Sequence, residues 1–243
     1  MPKPMGGKIL LIRRKYVTAM ALCIAVLAIF YVINHPALVG VSARERSWPV
    51  YSGPGAEQRI SLTFNLREAG DNHTVQVLEA LQIYGVRATF FVTGDWVRAN
   101  EDLAAAMVAA GHELMNLSDD HSFLNKMATT EIMENVENCN DVIAGISGIR
   151  PSFFRAPYGA YNDNLVGTIR AMGMEVVQWS IDSGDWRGLS AQAIARRVGD
   201  QAFAGGIVLL HSDLEQTALA IPDLIDGLFR AGYIPVLVSE ILG

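Results

Sequence analysis

From Arg59 onward, short apolar runs alternate with amphipathic ones. "ISLTF", "ATFFVTG", "HELMN", "SFFRA", "MEVVQWSID", "GIVLLHS" and "YIPVLVSEIL" are rich in β-branched and aromatic residues and read as strands. Between them, "TVQVLEALQIYG", "EDLAAAMVAAG", the stretch around Glu131 to Ala144, "NDNLVGTIRAMG", Ser190 to Ala204 and "TALAIPDLIDGLFRAG" read as helices. Val77, Leu78 and Leu81 share one side of the first helix, and Gly85 stops it. Asn100 and Asn162 stand where N-caps are expected, and Gly111 ends the second helix. Pro222, which has no N–H, is expected near a helix start or at a kink. Strands alternating with helices imply parallel pairing through right-handed crossovers, which both a doubly wound sheet and an incomplete barrel satisfy. In either architecture chemistry collects beyond the C-terminal ends of the strands. The residues there are Asn65, Thr93, Asn116 to His121, Arg155, Asp182, Asp185 and His211.

The N-terminal part has a different pattern. Lys3, Lys8, Arg13, Arg14 and Lys15 precede an uncharged run from Val17 to Ile33. As a helix it would be about 25 Å long, just short of a hydrocarbon core of about 30 Å. The expectation is a cytoplasmic segment over 1–16, a transmembrane helix over 17–33, a linker rich in Pro, Gly, Ser and charge over 34–58, and a globular domain over 59–243. The basic flank places that domain outside the cytoplasm, on a single-pass membrane anchor. The alternative is a secreted protein cleaved at the small-residue pattern "VSA", Val41 to Ala43.

Composition narrows the partners. A chain of 243 residues accommodates one large α/β domain and a tail. With a net charge of −6 and no charged block past the N-terminus, a nucleic-acid partner has no electrostatic support. The two cysteines, Cys23 in the apolar run and Cys139 on the stripe Ile132, Val136, Cys139, Ile143, exclude a disulfide framework, and Cys139 is expected buried. Oligomeric state leaves no mark on the sequence.

Several strand-end stretches carry chemistry. "FRAPYGAYN" puts Arg155 before a turn through Pro157, Tyr158 and Gly159, where its guanidinium can hold a carboxylate or a carbonyl in a fixed fork. "WSIDSGDW" supplies Asp182 and Asp185 between Trp179 and Trp186, and "VLLHS" ends a buried strand on His211. Asp185 and His211 on adjacent strand ends would make an acid–histidine pair suited to general acid catalysis. "NLSDDHS" carries Asp119, Asp120 and His121, either a solvated loop or ligands for a divalent metal.

Taken in order, "LTFN", "GHELMNLSDDH", "RAPYG", "DSGDW" and "LLHS" resemble the motifs of the polysaccharide deacetylase family (carbohydrate esterase family four, the NodB-homology domain), over roughly residues 59 to 242. "ATFFVTGDW" and "AGYIPVLVSEIL" add to the resemblance. The anchor and "TALAIPDLIDGL" look similar to the sporulation-associated branch. The resemblance implies a distorted (β/α)7 barrel and a hydrolase of carbon–nitrogen bonds other than peptide bonds. Its chemistry would be metal-dependent removal of acetyl groups from chitin-like polymers or peptidoglycan, with a cell-wall glycan as partner and zinc or another divalent metal as cofactor. It implies His211 as general acid paired with Asp185, Asp182 and Arg155 as further catalytic residues, and Tyr158, Trp186 and Leu209 on the substrate.

The chain departs from that pattern where the metal belongs. The family's first motif carries two adjacent acids, a base and a metal ligand; here Asn65 and Leu66 stand there. Its second motif carries two His four residues apart; here Leu117 replaces the first and His121 remains. Leucine offers no lone pair, and Asn65 cannot take a proton from water at neutral pH. Three readings follow: a metal site rebuilt from Asp71, His73, Asp119 or Asp120 with His121; a degenerate domain that binds glycan, with Trp96, Tyr158, Trp179 and Trp186 as stacking surfaces; or a structural module of the envelope. Asp71 and His73 have a competing use as N-caps of the helix after Thr74.

Overall fold

The computed structural model describes Met20 and residues 22–28, 30–31, 48–55, 57–67 and 73–243. The chain divides into two compact units, Met1–Arg46 and Ser47–Gly243. In the first unit Met20 and residues 22–28 and 30–31 are helical. Among the described residues no helix is long and apolar enough to cross a membrane. The rest of the expected span over 17–33, and the "VSA" stretch, lie outside the described residues.

The second unit is an α/β fold built on one sheet of parallel strands. Its strands are β1 (Arg59–Leu66), β2 (Thr89–Val92), β3 (Glu113–Asn116), β4 (Phe153–Phe154), β5 (Glu175–Val176), β6 (Ile181–Asp182), β7 (Ile207–His211) and β8 (Ile234–Pro235). The order is β5-β4-β3-β2-β1-β7-β6, with β8 beside the start of β1. This curved parallel sheet wrapped by helices fits the distorted (β/α)7 barrel of the resemblance. The helices are α1 (Thr74–Ile83), α2 (Gly94–Ala99), α3 (Glu101–Ala109), α4 (Thr129–Ser147), α5 (Asp163–Ala171), α6 (Ala191–Gln201), α7 (Glu215–Arg230) and α8 (Val238–Leu242).

Alternation along β1 creates two layers. Ile60, Leu62, Phe64 and Leu66 belong to the large cluster between sheet and helices, together with Val77, Leu81, Trp96, Leu224 and Ile225. Ser61, Thr63 and Asn65 fall on the other face, as a period of two requires. The interior of the curved sheet is filled by Phe91, Met115, Leu117, Val177, Ile207 and Val238. Cys139 is buried on the stripe Ile132, Val136, Cys139, Ile143 of α4, as expected.

Five local expectations are corrected. "MEVVQWSID" is not one strand but two short ones, because its ends serve different neighbours: β5 pairs with β4 and β6 with β7. Val50 fills the break, receiving the Gln178 N–H on its carbonyl and donating its own N–H to Val176. Residues 48–55, expected in the linker, therefore pair with the domain. "YIPVLVSEIL" is a strand for two residues only. The Thr89 hydroxyl accepts from Val238 N and the Glu240 carboxylate from Leu237 N, which starts α8 instead. Pro222 lies inside α7, whose buried face of Ala218, Ile221, Leu224, Ile225 and Leu228 holds the helix across it. Asn100 occupies the N-cap of α3 without capping it; its side-chain amide donates to the Trp96 carbonyl of the preceding helix α2, an element absent from the sequence reading. Asn162 does cap α5, accepting from Leu165 N at 2.9 Å.

Phe64 and Phe90 stack with ring centroids 5.0 Å apart and no exposure. Phe64→Ala is expected to cost about 3–5 kcal/mol of stability. Urea unfolding with an unchanged slope and a lowered midpoint is the expected result; an unmoved midpoint would show that the Phe64–Phe90 contact contributes nothing.

Candidate functional site

The register of the central strands builds the site. β1 pairs with β2 and β7 so that Asn65 lies opposite Phe91 on one side and His211 on the other. Asp182 lies opposite Leu209 on β7. These strand ends open into a cavity of about 410 Å³ lined by Asn65, Arg67, His121, Tyr158, Trp179, Asp182, Trp186, Leu209 and His211.

Arg155 lies fully buried beside this cavity. Its Nη1 donates to Asn65 Oδ1 at 3.0 Å, its Nε to the Val177 carbonyl at 3.3 Å and its Nη2 to the Gln178 carbonyl at 3.1 Å. The guanidinium carbon sits 3.8 Å from the Phe91 ring centroid, a cation–π contact. Burial lowers its pKa to about 9. Of the two uses the sequence left open for Arg155, it holds carbonyls; it makes no bond to Asp185 or His211.

Asp185 and His211 do pair. His211 Nδ1 is 2.9 Å from Asp185 Oδ1, and the His211 backbone N–H donates to Oδ2 at 2.7 Å. Because a carboxylate only accepts, Nδ1 carries the proton and Nε2 is the ring nitrogen left for the cavity. Thr217 Oγ1 donates to Asp185 Oδ2 at 2.9 Å, and Trp186 N to Oδ1 at 2.8 Å. Burial pushes the Asp185 carboxyl up, but the bonds from His211 and Thr217 outweigh it and hold the group below the ordinary value. Asp182 is not part of the pair. It accepts from Gly184 N at 2.9 Å and Trp186 Nε1 at 3.3 Å, and faces Arg187 at 3.6 Å.

His121 lines the cavity from the left-handed backbone region, φ 59°. Its ring meets the edge of Tyr158 at 4.5 Å, and Tyr158 stacks on Phe123 at 4.2 Å. Burial first, then the charge of Arg67 and the proximity of His211, push the His121 imidazole down to about 4. Tyr158 and Trp186 remain more than half exposed on the cavity wall, and Leu209 is buried beneath it.

Among the described residues, the donors expected of a metal centre do not assemble. Leu66 lies in the helix-side cluster and Leu117 inside the sheet, both essentially without exposure. Asp119 is held by Arg98 at 2.8 Å. Asp120 is held by Ser122 Oγ at 2.7 Å and Asn135 Nδ2 at 3.0 Å. His73 stands at the N-cap of α1 but makes no capping bond through its side chain, which meets Gln76 at 3.2 Å. Asp71 lies outside the described residues. Among the described residues no group of three His, Cys, Asp or Glu could hold a metal ion. The described residues do not assemble a donor set that fits the divalent metal the resemblance implies.

Two corrections concern other residues. Trp96 is core, 1% exposed, and lines no part of the cavity. Thr93 caps α2, accepting from Trp96 N at 3.1 Å. Arg67 and Thr217 escaped the sequence reading. Arg67 directly follows β1, a position that the strand-end rule covers; Thr217, on α7, gave no signal.

Residues 52–177 match the family model for polysaccharide deacetylase, and the chain belongs to that family. It is 34% identical over 184 residues to the peptidoglycan-N-acetylmuramic acid deacetylase PdaC of Bacillus subtilis, covering 75% of this chain and 38% of PdaC. It is 33% identical over 207 residues to a peptidoglycan-N-acetylglucosamine deacetylase of Bacillus cereus, covering 81% of this chain and 92% of that one. The chain thus spans well under half of PdaC and 60% of a second Bacillus subtilis relative, YlxY. Among solved structures, BA3943 of Bacillus anthracis, described as a CE4 family pseudoenzyme, matches with a TM-score of 0.77 at 27% identity, covering 81% of this chain and 69% of that one. A mutant of BA3943 with restored enzymatic activity matches equally well.

Acid should weaken this fold. His121 titrates near 4 when folded and near 6.5 when unfolded, so the unfolded chain takes up the proton first as pH falls. Stability is therefore lost between about pH 6.5 and 4. The depressed Asp185 contributes stability that is present above its unfolded value near 3.9 and is lost as pH falls through its folded value. Urea midpoints at pH 7 and pH 5 are expected to differ, with a smaller gap in His121→Asn, which tolerates the positive φ. Equal midpoints at the two pH values would contradict the burial of a neutral His121.

Proposed function

We propose that this polysaccharide deacetylase-like protein binds peptidoglycan-type glycan in the cell envelope without metal-dependent turnover. One observation carries the reading. Of the positions that hold the metal in the family pattern, only His121 lies on the cavity wall, while Leu66 and Leu117 are packed into apolar clusters. A catalytic zinc site needs about three protein ligands and an open position, and one imidazole does not make one. The base is also gone, since Asn65 has no proton affinity to offer a water. The peptidoglycan substrates of PdaC and the Bacillus cereus relative, and the pseudoenzyme description of BA3943, support the choice of ligand and the loss of turnover. The exposed rings of Tyr158 and Trp186 on the cavity wall favour a glycan over a purely structural role.

The proposal includes the membrane. The uncharged run 17–33 behind five cations would hold the domain on the extracytoplasmic face, with secretion after cleavage as the alternative. The likeness of the anchor and of "TALAIPDLIDGL" to the sporulation-associated branch belongs to the same proposal.

Elemental analysis of the full chain after dialysis against trace zinc is expected to find far less than one zinc per chain. About one zinc per chain, lost in His121→Ala, would overturn the reading and mean a rebuilt site. Added zinc is likewise expected to leave the melting temperature of the natural chain unmoved, because a ligand stabilises only a fold that binds it. In cell fractionation the full chain should stay with the membrane after alkaline carbonate washing; release into the wash would rule out the anchor.

A further inference from the structure

The two edges of the curved sheet are β5 and β6, and they do not pair with each other. Residues 48–55 cross the gap between them. Val50 bridges Val177 in the parallel sense, and Ser52 bridges Gly206, just before β7, in the antiparallel sense. Val50 donates its N–H to the Val176 carbonyl at 2.8 Å and accepts from Gln178 N at 2.8 Å. Gly53 N donates to the Gly205 carbonyl at 2.8 Å. The Val50 side chain packs against the cluster of Phe91, Met115, Leu117, Val177, Ile207 and Val238 that fills the sheet interior. Gly53 lies so near α8 that an added Cβ would stand 2.6 Å from the Ile241 carbonyl oxygen.

The backbone that this segment holds also carries the cavity. Gln178 gives its N–H to Val50 and its carbonyl to Arg155 Nη2, and the Val177 carbonyl takes Arg155 Nε. Arg155 in turn holds Oδ1 of Asn65, which lines the cavity. The residue after Gln178 is Trp179, itself part of the cavity wall. Its Cη2 lies 3.0 Å from where a Cβ on Gly159 would be, so the ring is pressed on the turn that carries Tyr158.

The crossing segment is lightly held. Among the described residues its strand pairing consists of two isolated bridges in place of a ladder. Arg170 Nη2 donates to the Trp48 carbonyl at 2.9 Å and the Tyr51 and Tyr161 hydroxyls meet at 2.8 Å, both at exposed positions. Segments with few backbone bonds and exposed surface open at a lower free energy than core strands do.

We infer that residues 48–55 form a clasp whose closure sets the affinity of the glycan cavity, with Val50 as a positioning residue, an inference that rests on the glycan-binding reading. When the clasp opens, the 176–178 backbone loses the partners on its outer side, and Trp179 and the Arg155–Asn65 bond lose their fixed frame. Coupling of this kind is reciprocal: a glycan that binds the closed form better must hold the clasp closed.

Amide hydrogen exchange of the full chain, with and without chitotetraose, tests it. At a ligand concentration about ten times Kd, exchange at Val50 and Gln178 is expected to slow about tenfold, because opening then competes with binding. Equal exchange rates with and without ligand would overturn the coupling, since a merely structural clasp opens independently of the cavity. Gly53→Ala wedges the clasp off the Ile241 carbonyl, and Val50→Pro removes the donor to Val176. Each is expected to weaken chitotetraose binding at least ~5-fold in calorimetric titration, with the circular dichroism of the natural chain. Unchanged affinity in both folded variants would overturn the clasp and leave the glycan reading standing. If a variant fails to fold, exchange in the natural chain decides. No chitotetraose binding by the natural chain would overturn the glycan reading and the clasp with it.

Discussion

The hydrogen bond from Arg155 to Asn65 is the point on which the strand-end architecture turns. A guanidinium with no exposure needs its donors satisfied, and here three oxygens do so, two of them backbone carbonyls of the 177–178 stretch. The third comes from the last inward-facing residue of the central strand. The bond thus ties β4, the crossing between β5 and β6, and β1 across the interior of the sheet. The face of Phe91 completes the cradle. Burying a cation without an anion is expensive, and the pairing with polar carbonyls and an aromatic face is what makes it tolerable. An asparagine suffices for this structural duty, because the arginine needs only an acceptor.

The same separation of duties explains why half of the site survives. Asp185 is nearly buried and accepts four hydrogen bonds, so it is required for packing whether or not His211 transfers a proton. The metal half has no such structural duty. Leu66 faces the helices and Leu117 the interior, and at both places an apolar side chain improves burial. Each buried leucine contributes about 1.5–3 kcal/mol relative to exposure.

Membership in the polysaccharide deacetylase family therefore coexists with a site that lacks the family's metal donors. The cavity wall that remains is aromatic, with Tyr158, Trp179 and Trp186. The likeness to a pseudoenzyme of known structure shows that this fold persists in a chain described as inactive.

Much of this was legible from the residues alone. Runs of β-branched and aromatic residues marked the core strands because burial on both faces demands them, and the five short motifs marked the site because they fall at strand ends. Asn65, Leu66 and Leu117 announced the departure from the family's motifs directly, since a leucine has no lone pair in any context. What the sequence could not show were relations between distant segments. The break in 174–182 depends on Val50, and the end of β8 depends on Thr89 and on the pull of Glu240, so local periodicity misread both. Trp96 read as a sugar platform until its direction was known. Arg155 named a fork but not its partners, and Thr217 and Arg67 joined the site only through the register of β1, β7 and α7. The sequence by itself determined which side chains stand at the family's motif positions. Only the tertiary structure decided which way the Asn65 amide points, because that orientation is imposed by a guanidinium 90 residues away.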